Sequence, residues 1–423
     1  MKVNYTHPAE LLVSTLQRLY DYGMTTTSGG NISIKDLDGN IWITPSGVDK
    51  GTLTPRDIMM VTPDGQNVGC HTPSCELPFH RAVYNLRPDA GTVLHAHSPA
   101  LVAYSLVGKS PDASILPGAE KICGKIAFSR YDIPGSISLG EIISEEFAKG
   151  ADCVMMENHG AVVCGRNIEE AFARFEMLDY LARIGIQMSG LGDAVAAAGA
   201  FSAKEWETFE ADYASPAECA LRESIVKFAA RLYRQRLVFT GGVTLSAKIS
   251  GDDILVTPAG MDPLKCKACS AVRIANGKCE SGKKASEFAA LARELYLAND
   301  WIGAMMITKS PNIMAFAASG NALDSRMIPE SYIQLRDMPV ISYAEFAADP
   351  MCVLQKITPA TPVVVVENGC VIAVGKNLTQ AFDRLEVADF TANCVLLARR
   401  LGKVNPINQA QVDEIIEAFG LPR

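Results

Sequence analysis

Three of the six histidines in this chain have the spacing of a metal centre. His95 and His97 flank a single alanine, and His159 stands directly ahead of a glycine. Side chains two residues apart on a β-strand point to the same face, so His95 and His97 could bind one ion together. Neutral imidazole is a good ligand for zinc and similar divalent ions, and three protein ligands leave a fourth position open for catalysis. The spacing therefore predicts a divalent-metal site at His95, His97 and His159.

The other histidines and the cysteines show no comparable pattern. His7, His71 and His80 lack the context of the triad, and we expect them at surface or core positions. Cys266-Lys-Ala-Cys269 lacks the second pair of ligands that a structural zinc site needs, so we expect free thiols there. The twelve cysteines form no dense framework, and the first eight residues contain no apolar signal core. Both features predict a reduced, cytoplasmic protein.

Glu76 and two loops are further candidates, each with two interpretations. Glu76 lies just ahead of the predicted helix that carries His80. An acid there is commonly a cap or dipole partner, but a carboxylate near a metal could move a proton in a reaction on a carbonyl compound. The loops Ser28-Gly-Gly-Asn31 and Thr44-Pro-Ser-Gly47 could cradle a phosphate with backbone N–H groups. Ordinary turn chemistry is the favoured explanation of either loop when it is taken alone.

The segments that must position these residues occur twice in the chain. Ile41-Trp-Ile-Thr-Pro-Ser-Gly47 returns as Ile254-Leu-Val-Thr-Pro-Ala-Gly260, and other short segments return at nearly the same separation. They include Arg18-Leu-Tyr20 with Arg231-Leu-Tyr233, and Glu157-Asn158 with Glu367-Asn368. A constant separation is the mark of a tandem repeat. We therefore predict two domains, residues 1–213 and 214–423.

Each copy has the hydrophobic periodicity of mixed helices and strands. Amphipathic helices are predicted to open the copies at 9–22 and 220–234. In the first copy, strands are predicted at 31–35, 41–44, 58–61, 92–97 and 153–157, and helices at 77–85, 139–149, 168–188 and 203–213. Strands mixed with helices imply the α/β class, and hairpin-length gaps imply antiparallel pairs. We predict tandem three-layer α/β/α sandwich domains, each with a mixed, largely antiparallel central sheet.

Length and composition exclude several classes of protein. The 423 residues are ample for two domains, and the hydrophobic fraction of 48% with 20% charged residues is typical of a globular chain. A formal net charge of −8 argues against a nucleic-acid partner. No apolar run approaches the length of a membrane-spanning helix, so we expect no membrane partner either.

Five motifs, taken together, resemble the class II aldolase/adducin family. They occur in the family's order and span nearly all of the first copy, whereas the second copy resembles the family in framework only. The motifs are Ser28-Gly-Gly-Asn-Ile-Ser33, Thr44-Pro-Ser-Gly47, Pro73-Ser-Cys-Glu76, His95-Ala-His97 and Asn158-His-Gly160. The resemblance implies a metal-dependent aldolase, a lyase that cleaves a phosphorylated ketose.

The resemblance also implies a role for each matching residue. His95, His97 and His159 would hold zinc or another divalent metal, which would act as a Lewis acid and stabilise the enediolate released by retro-aldol cleavage. Glu76 would act as the acid/base at the carbon of the enediolate where the cleaved bond had been. The substrate phosphate would be held by residues of three loops, namely Gly30, Asn31, Ser46, Gly47, Ser74 and Cys75.

Two departures from the family pattern leave the reaction open. Cys75 stands where the family often has serine, and a thiol is a weaker donor to phosphate than a hydroxyl. Family aldolases use a tyrosine soon after the His-x-His strand to protonate the leaving aldehyde, and this chain has none between Tyr104 and Tyr131. A sugar-phosphate epimerase or decarboxylase on the same scaffold is therefore an alternative. A non-enzymatic, adducin-like interaction protein is a further one, which retention of Glu76 and the three histidines disfavours.

The second copy lacks every predicted metal ligand. Ile307, Lys309 and Gly369 align with the three histidines, and Val243 falls near Asn31. We therefore expect one metal per chain and a stabilising role for the second copy, with Lys309 as a solvated surface residue. Family enzymes are often four-fold rings, so we expect a homodimer that forms a pseudo-four-fold ring, or a higher homo-oligomer.

Overall fold

A computed structural model describes residues 6–194 and 204–421. The chain divides into two compact units, Met1–Ala113 with Gly118–Ile186, and Ser114–Pro117 with Gln187–Arg423. Residues 187–213 group with the second unit. The proposed domain limits of 1–213 and 214–423 describe the repeat rather than this grouping, and they remain a prediction.

The first unit alternates short strands with helices. Its strands are β1 (Asn31–Lys35), β2 (Ile41–Ile43), β3 (Met59–Val61), β4 (Asn67–Val68), β5 (Thr92–Ala96), β6 (Ile126–Ser129), β7 (Cys153–Met156) and β8 (Gly160–Gly165). Its helices are α1 (Pro8–Asp21), α2 (Leu77–Leu86), α3 (Pro99–Leu106), α4 (Ala119–Cys123), α5 (Ile137–Ala148) and α6 (Ile168–Met188).

The strands form one sheet in the order β4-β3-β2-β1-β5-β8-β7-β6. The pairs are antiparallel except for β6 and β7, which run parallel. In the centre of the sheet, β5 pairs with β1 on one side and β8 on the other, and Asn31 lies opposite His95. A central, fully buried strand of the sheet therefore carries the first histidine of the triad.

Helices cover both faces of this central strand. Val93 packs in a core with Phe79 and Val83 of α2 and with Phe147 of α5. Successive strand residues point to opposite faces, and every residue of β5 is buried. Both faces must therefore be covered, which gives the layered arrangement expected from the sequence.

The second unit repeats the arrangement with one more strand. Its strands are β9 (Thr208–Phe209), β10 (Thr244–Ser250), β11 (Asp253–Val256), β12 (Val272–Ala275), β13 (Lys278–Glu280), β14 (Ala304–Thr308), β15 (Val340–Ile341), β16 (Val363–Val366) and β17 (Cys370–Gly375). Its helices are α7 (Pro216–Arg234), α8 (Ala289–Ala298), α9 (Pro311–Ala318), α10 (Pro329–Leu335), α11 (Tyr343–Ala348), α12 (Leu378–Leu401) and α13 (Gln409–Phe419).

The order of its sheet is β15-β16-β17-β14-β10-β11-β12-β13-β9, with parallel pairs only at the two edges. Two mixed, mostly antiparallel sheets with packed helices confirm the predicted fold class. Within the described residues, no helix combines the length and apolarity needed to cross a membrane.

One predicted helix is wrong. The sequence pattern placed a helix at 203–213, of which residue 203 lies outside the described residues. The segment instead contains β9, which runs parallel to β13, and the N–H of Cys279 donates to the carbonyl of Glu207 at 2.8 Å. The open edge of β13 offers this extended segment hydrogen-bond partners that helical periodicity within the segment could not reveal.

Candidate metal centre

The three predicted metal ligands meet at the end of β5. His95 is in β5, His97 follows the strand, and His159 lies in the turn that joins β7 to β8. Because β5 pairs with β8, this turn comes to the same end of the sheet. One ring nitrogen from each histidine lies within 4.8 Å of the others, and the two Nε2 atoms of His95 and His97 are 2.8 Å apart. The structure thus brings the triad together.

A backbone contact and burial prepare the imidazoles for a metal. His95 Nδ1 is 2.9 Å from the carbonyl oxygen of Ala161, so it donates there and leaves Nε2 as the free lone pair. Burial, with the neighbouring histidines, lowers the pKa of His95 and of His97 to about 3. Burial also lowers the pKa of His159. Neutral rings at neutral pH with nitrogens facing one point are a donor set that fits a divalent ion.

Two glycines permit this close approach. A Cβ at Gly29 would lie 2.8 Å from His97 Nδ1, and a Cβ at Gly160 would lie 2.7 Å from the carbonyl oxygen of Ala96. Both distances are shorter than carbon can tolerate. The glycines in these motifs are therefore required by packing around the histidines, whatever they also do for a ligand.

Glu76 faces the triad instead of capping its helix. It occupies the N-cap position of α2, but its side chain makes no capping hydrogen bond. Its carboxylate oxygens lie 3.5 Å from His95 Nε2 and 3.8 Å from His159 Nε2, and the residue is only 5% exposed. Of the two interpretations left open by the sequence, the structure favours the carboxylate at the metal centre.

A chain of buried hydrogen bonds holds Glu76 from behind. The Asn31 amide donates to Glu76 Oε2 at 2.6 Å, and Asn31 Oδ1 is 2.6 Å from His80 Nε2. His80 Nδ1 is 2.7 Å from Ser33 Oγ, which is in turn 2.7 Å from Tyr84 Oη. Burial keeps the pKa of His80 well below its usual value, so the ring is neutral and its Nε2–H donates to Asn31.

The deeper members of this network were not predicted from the sequence, although their spacing carried a signal. His80 lies four residues after Glu76, which places it on the same side of α2 one turn later. Ser33 lies two residues after Asn31, which places it on the same face of β1. His80 is a core residue, as expected, but it also serves the site.

The predicted phosphate loops lie side by side next to Glu76. The N–H of Ser46 donates to the Thr72 carbonyl at 2.9 Å, and the N–H of Ser74 donates to the Thr44 carbonyl at 3.2 Å. Ser74 is buried and its hydroxyl accepts from the N–H of Glu76. Three predicted phosphate residues are exposed beside these contacts, namely Ser46, Gly47 and Cys75.

Gly30 and Asn31, the other two predicted phosphate residues, are buried beside the triad. A Cβ at Gly30 would lie 2.9 Å from the His95 carbonyl oxygen, so this loop packs directly on β5. The Asn31 amide is already donated to Glu76. The structure therefore gives Asn31 a contact with the carboxylate that the resemblance did not imply.

Lys50 is a candidate that the sequence analysis did not identify. Its amine donates to the carbonyl of Pro45, in the loop that carries Ser46 and Gly47. Burial lowers the pKa of Lys50, whereas the nearby Cys75 acts in the opposite direction. The sequence carried a signal for this residue. Lys50 lies three residues after Gly47, and the second copy, which lacks the metal ligands, has Pro263 at the matching position.

The second unit keeps the framework of this site but not its chemistry. Ile307 lies opposite Thr244 as His95 lies opposite Asn31, so Thr244, rather than the predicted Val243, takes the Asn31 position. Phe288 is the N-cap of α8, the place that Glu76 has on α2. Tyr343 fills the space beside Gly369, where a Cβ would be 3.0 Å from its ring.

Lys309 is not the solvated surface residue predicted from the sequence. It is half-buried, and its amine donates to the carbonyl of Pro117 at 3.3 Å, a residue grouped with the same unit. Burial lowers its pKa, and Cys370 and Glu287 act against this shift. Within residues 6–194 and 204–421, the side-chain groups able to hold a metal both lie in the first unit.

Comparison with known proteins gives a consistent assignment. The family model described as "Class II Aldolase and Adducin N-terminal domain" matches residues 10–186 and 223–396. An L-fuculose phosphate aldolase from Methanococcus maripaludis is 36% identical over 174 residues, which cover 41% of this chain and 93% of the relative. A 3-oxo-tetronate 4-phosphate decarboxylase from Escherichia coli O6:H1 is 32% identical over 169 residues, which cover 39% of this chain and 79% of the relative.

Among solved structures, an L-fuculose 1-phosphate aldolase is similar, with 26% sequence identity and a TM-score of 0.41. The match covers 46% of this chain and 91% of that structure. The two separate segments matched by the family model agree with the tandem duplication read from the sequence.

Proposed function

The chain belongs to the class II aldolase and adducin family, and we propose that its first unit is a divalent-metal-dependent lyase that acts on a phosphorylated ketose. One observation carries the proposal. The buried Glu76 carboxylate lies 3.5 and 3.8 Å from ring nitrogens of the histidine triad. A proton-transfer group beside a cation site is the arrangement needed for making and neutralising negative charge on a carbon next to a carbonyl.

The histidines and the metal have separate tasks in this proposal. His95, His97 and His159 would hold one zinc or similar divalent ion per chain. When bound, the ion supplies positive charge beside the substrate oxygens on which negative charge develops. The hydrogen bond from His95 to Ala161 orients the imidazole and fixes its tautomer.

Glu76 would move the proton at the reacting carbon. In the cleavage direction, the carbon–carbon bond breaks and its electron pair stays with the fragment that carries the ketone. Protonated Glu76 then donates its proton to that carbon, and the hydroxyl of the other fragment releases its proton to solvent as that fragment becomes the aldehyde, so that the protons balance. Asn31, itself oriented by His80, donates to Glu76 Oε2, and both carboxylate oxygens face the triad, Oε2 at 3.5 Å from His95 Nε2 and Oε1 at 3.8 Å from His159 Nε2.

The loops beside Glu76 would bind the phosphate. Ser46, Gly47, Ser74 and Cys75 offer hydroxyl, thiol and backbone donors, and Gly30 brings the first loop against the triad. We add Lys50 to this set, because a buried amine next to the loop of Ser46 offers the charge that a phosphate needs. The second copy has Pro263 at the position of Lys50, which agrees with a role for Lys50 in binding the substrate.

A decarboxylase is the second candidate, and one observation favours it. The chain has no tyrosine between Tyr104 and Tyr131 to serve the leaving aldehyde. Loss of carbon dioxide from a 3-oxo acid leaves the electron pair on a carbon next to a carbonyl, and Glu76 can protonate that carbon in the same way. This reaction forms no aldehyde and needs no group at that end of the substrate.

Turnover and metal content together test the proposal. Zinc-loaded, full-length protein should release a phosphorylated ketone and an aldehyde from a phosphorylated ketose, or carbon dioxide from a phosphorylated 3-oxo acid. Glu76→Gln should abolish turnover and retain the metal, whereas His97→Ala should lose both. A wild-type chain that binds no divalent metal at the triad and turns over neither substrate class would support the interaction-protein alternative.

The assembly and the repeat limits belong to the same proposal. A homodimer with alternating active and degenerate copies, or a higher homo-oligomer, is expected in solution, with domains at 1–213 and 214–423. Sedimentation of the full chain, combined with an activity assay, tests the proposed assembly. A monomer with full activity would contradict the proposed assembly.

A further inference from the structure

A second group of metal-ligand side chains lies in the first unit, apart from the triad. Asp57 ends a short 3-10 turn (Pro55–Asp57), and Cys70 and His71 follow β4. One ligand atom from each of the three lies within 4.8 Å of the others. We propose that Asp57, Cys70 and His71 bind a second divalent ion of the zinc class, so that the chain would hold two ions instead of the one expected from the sequence.

The geometry needs little adjustment to accept an ion. His71 Nε2 and Asp57 Oδ1 are 2.9 Å apart and share a proton. Zinc with ligand distances of about 2.0–2.1 Å in tetrahedral geometry holds two such atoms roughly 3.3 Å apart. His71 Nε2 and Asp57 Oδ1 would therefore need to move apart by only a few tenths of an ångström for a metal ion to lie between them. The side chains of His71 and Asp57 are 31% and 24% exposed, so an ion has a path from solvent.

Asp57 is held in a ligating position by its own turn. Its second oxygen, Oδ2, accepts from the N–H and the hydroxyl of Thr54 at 2.8 and 2.7 Å. This leaves Oδ1 toward His71, and hydrogen bonds from His71 and Thr54 lower the pKa of Asp57 to about 2. A ligating carboxylate anchored through its other oxygen is the usual outer support of a metal site.

Cys70 distinguishes this site from a simple ion pair. A hydrogen bond between His71 and Asp57 needs no thiol, yet Cys70 Sγ lies within reach of both ligand atoms. Nitrogen, oxygen and sulfur donors together suit zinc, whereas the triad offers only nitrogen and the Glu76 carboxylate. Binding would release the proton of the Cys70 thiol, whereas the His71 ring would carry its proton on the nitrogen that does not ligate.

The position of the site suggests what the ion does. Thr72, next to His71, accepts from the N–H of Ser46, and Ser74 follows two residues later. An ion at this site would tie the turn that carries Asp57 to the segment that leads to Glu76. We infer a structural ion that stabilises the proposed phosphate loops, and three protein ligands predict weaker binding than a closed four-ligand site.

Cobalt(II) separates the two sites because only thiolate ligands give the near-ultraviolet sulfur-to-cobalt charge-transfer band. The full-length chain loaded with cobalt should bind two ions and show this band. Cys70→Ser should lose the band and one ion, and should keep the ion at the triad. His97→Ala should lose the other ion and keep the band, so failure of the proposed function is distinguishable from failure of this site.

Three other cysteines serve as matched controls for the thiolate band. Cys75→Ser, in the proposed phosphate loop, and the pair Cys266→Ser and Cys269→Ser should each retain both the band and two bound ions. Cys70 and Cys75 are both exposed, so serine at either position should leave the fold intact. A band or a metal content unchanged by Cys70→Ser overturns the proposal, as does a wild-type chain that binds cobalt without the band.

Discussion

Asn31 joins Glu76 to a buried histidine, with its amide 2.6 Å from Glu76 Oε2 and its carbonyl oxygen 2.6 Å from His80 Nε2. The resemblance assigned Asn31 to the phosphate, but its side chain also orients the proposed proton-transfer group. Because a carboxylate only accepts hydrogen bonds, the Asn31 amide must face Glu76, and its oxygen then requires a donor. Because burial lowers the pKa of His80 well below its usual value, the ring is neutral, and it is this donor in the tautomer that carries the proton on Nε2.

Replacing His80 tests this positioning role. His80→Ala removes the donor to Asn31, so Glu76 should lose its fixed orientation and kcat should fall about 10- to 100-fold, as for other outer partners of metal sites. The pH–rate profile should also shift, while the triad keeps its metal. His7→Ala, at the start of α1, is the control and should leave kcat and the pH–rate profile unchanged. Loss of stability with an unchanged pH profile would reduce His80 to a packing residue.

Replacing Lys50 tests the proposed phosphate contact. Lys50→Met should weaken binding of a phosphorylated substrate by roughly 1.5–3 kcal/mol, the worth of a hydrogen bond to a charged group, which is about a 10- to 150-fold rise in KM. The decisive measurement is the ratio of KM values for a substrate with and without its phosphate. A purely structural lysine would change both KM values equally and leave the ratio intact.

The stability of the second unit should respond to pH through Lys309. Burial lowers its pKa in the folded chain, so the unfolded chain binds more protons between the folded and unfolded pKa values. The free energy of unfolding attributable to this residue therefore rises as pH rises through that interval. Lys309→Met should stabilise the protein at pH 7, on the order of 1 kcal/mol, and the gain should shrink toward pH 10. Urea unfolding of the wild type and of Lys309→Met across this pH range measures the gain in stability. A gain that does not depend on pH would contradict the prediction.

A buried ion network in the second unit should be more sensitive than a surface pair. Arg222 contacts Glu218 at 2.6 Å and Glu280 at 3.0 Å, and Arg222 and Glu218 are both buried. Arg222→Ala removes the shortest ion pair of the buried Glu218, which keeps only Arg273 at 3.2 Å, and should cost about 3 kcal/mol of unfolding free energy. Arg326→Ala breaks an exposed pair with Asp324 and should cost less than about 1 kcal/mol. Equal losses in chemical denaturation would show that burial does not set the difference.

Local patterns in the chain were enough to predict much of the fold and part of the site. The alternation of helices and strands, the duplication, and the triad of His95, His97 and His159 all follow from spacing and order. The two-residue spacing predicted that His95 and His97 share a face, and their Nε2 atoms are 2.8 Å apart although His97 lies just after β5. The fold class is confirmed, and the three ring nitrogens do meet.

Only the tertiary structure decided where the second layer of residues lies. Glu76 turns from its helix to the triad because β1, 45 residues earlier in the chain, presents Asn31 to it. Lys309 is half-buried because residues far from it in sequence pack around it. The segment 204–213 contains a strand because β13 offers an open edge. Each outcome depends on contacts between distant segments. Periodicity reports which face of an element is buried, but not which distant residue will be packed against it.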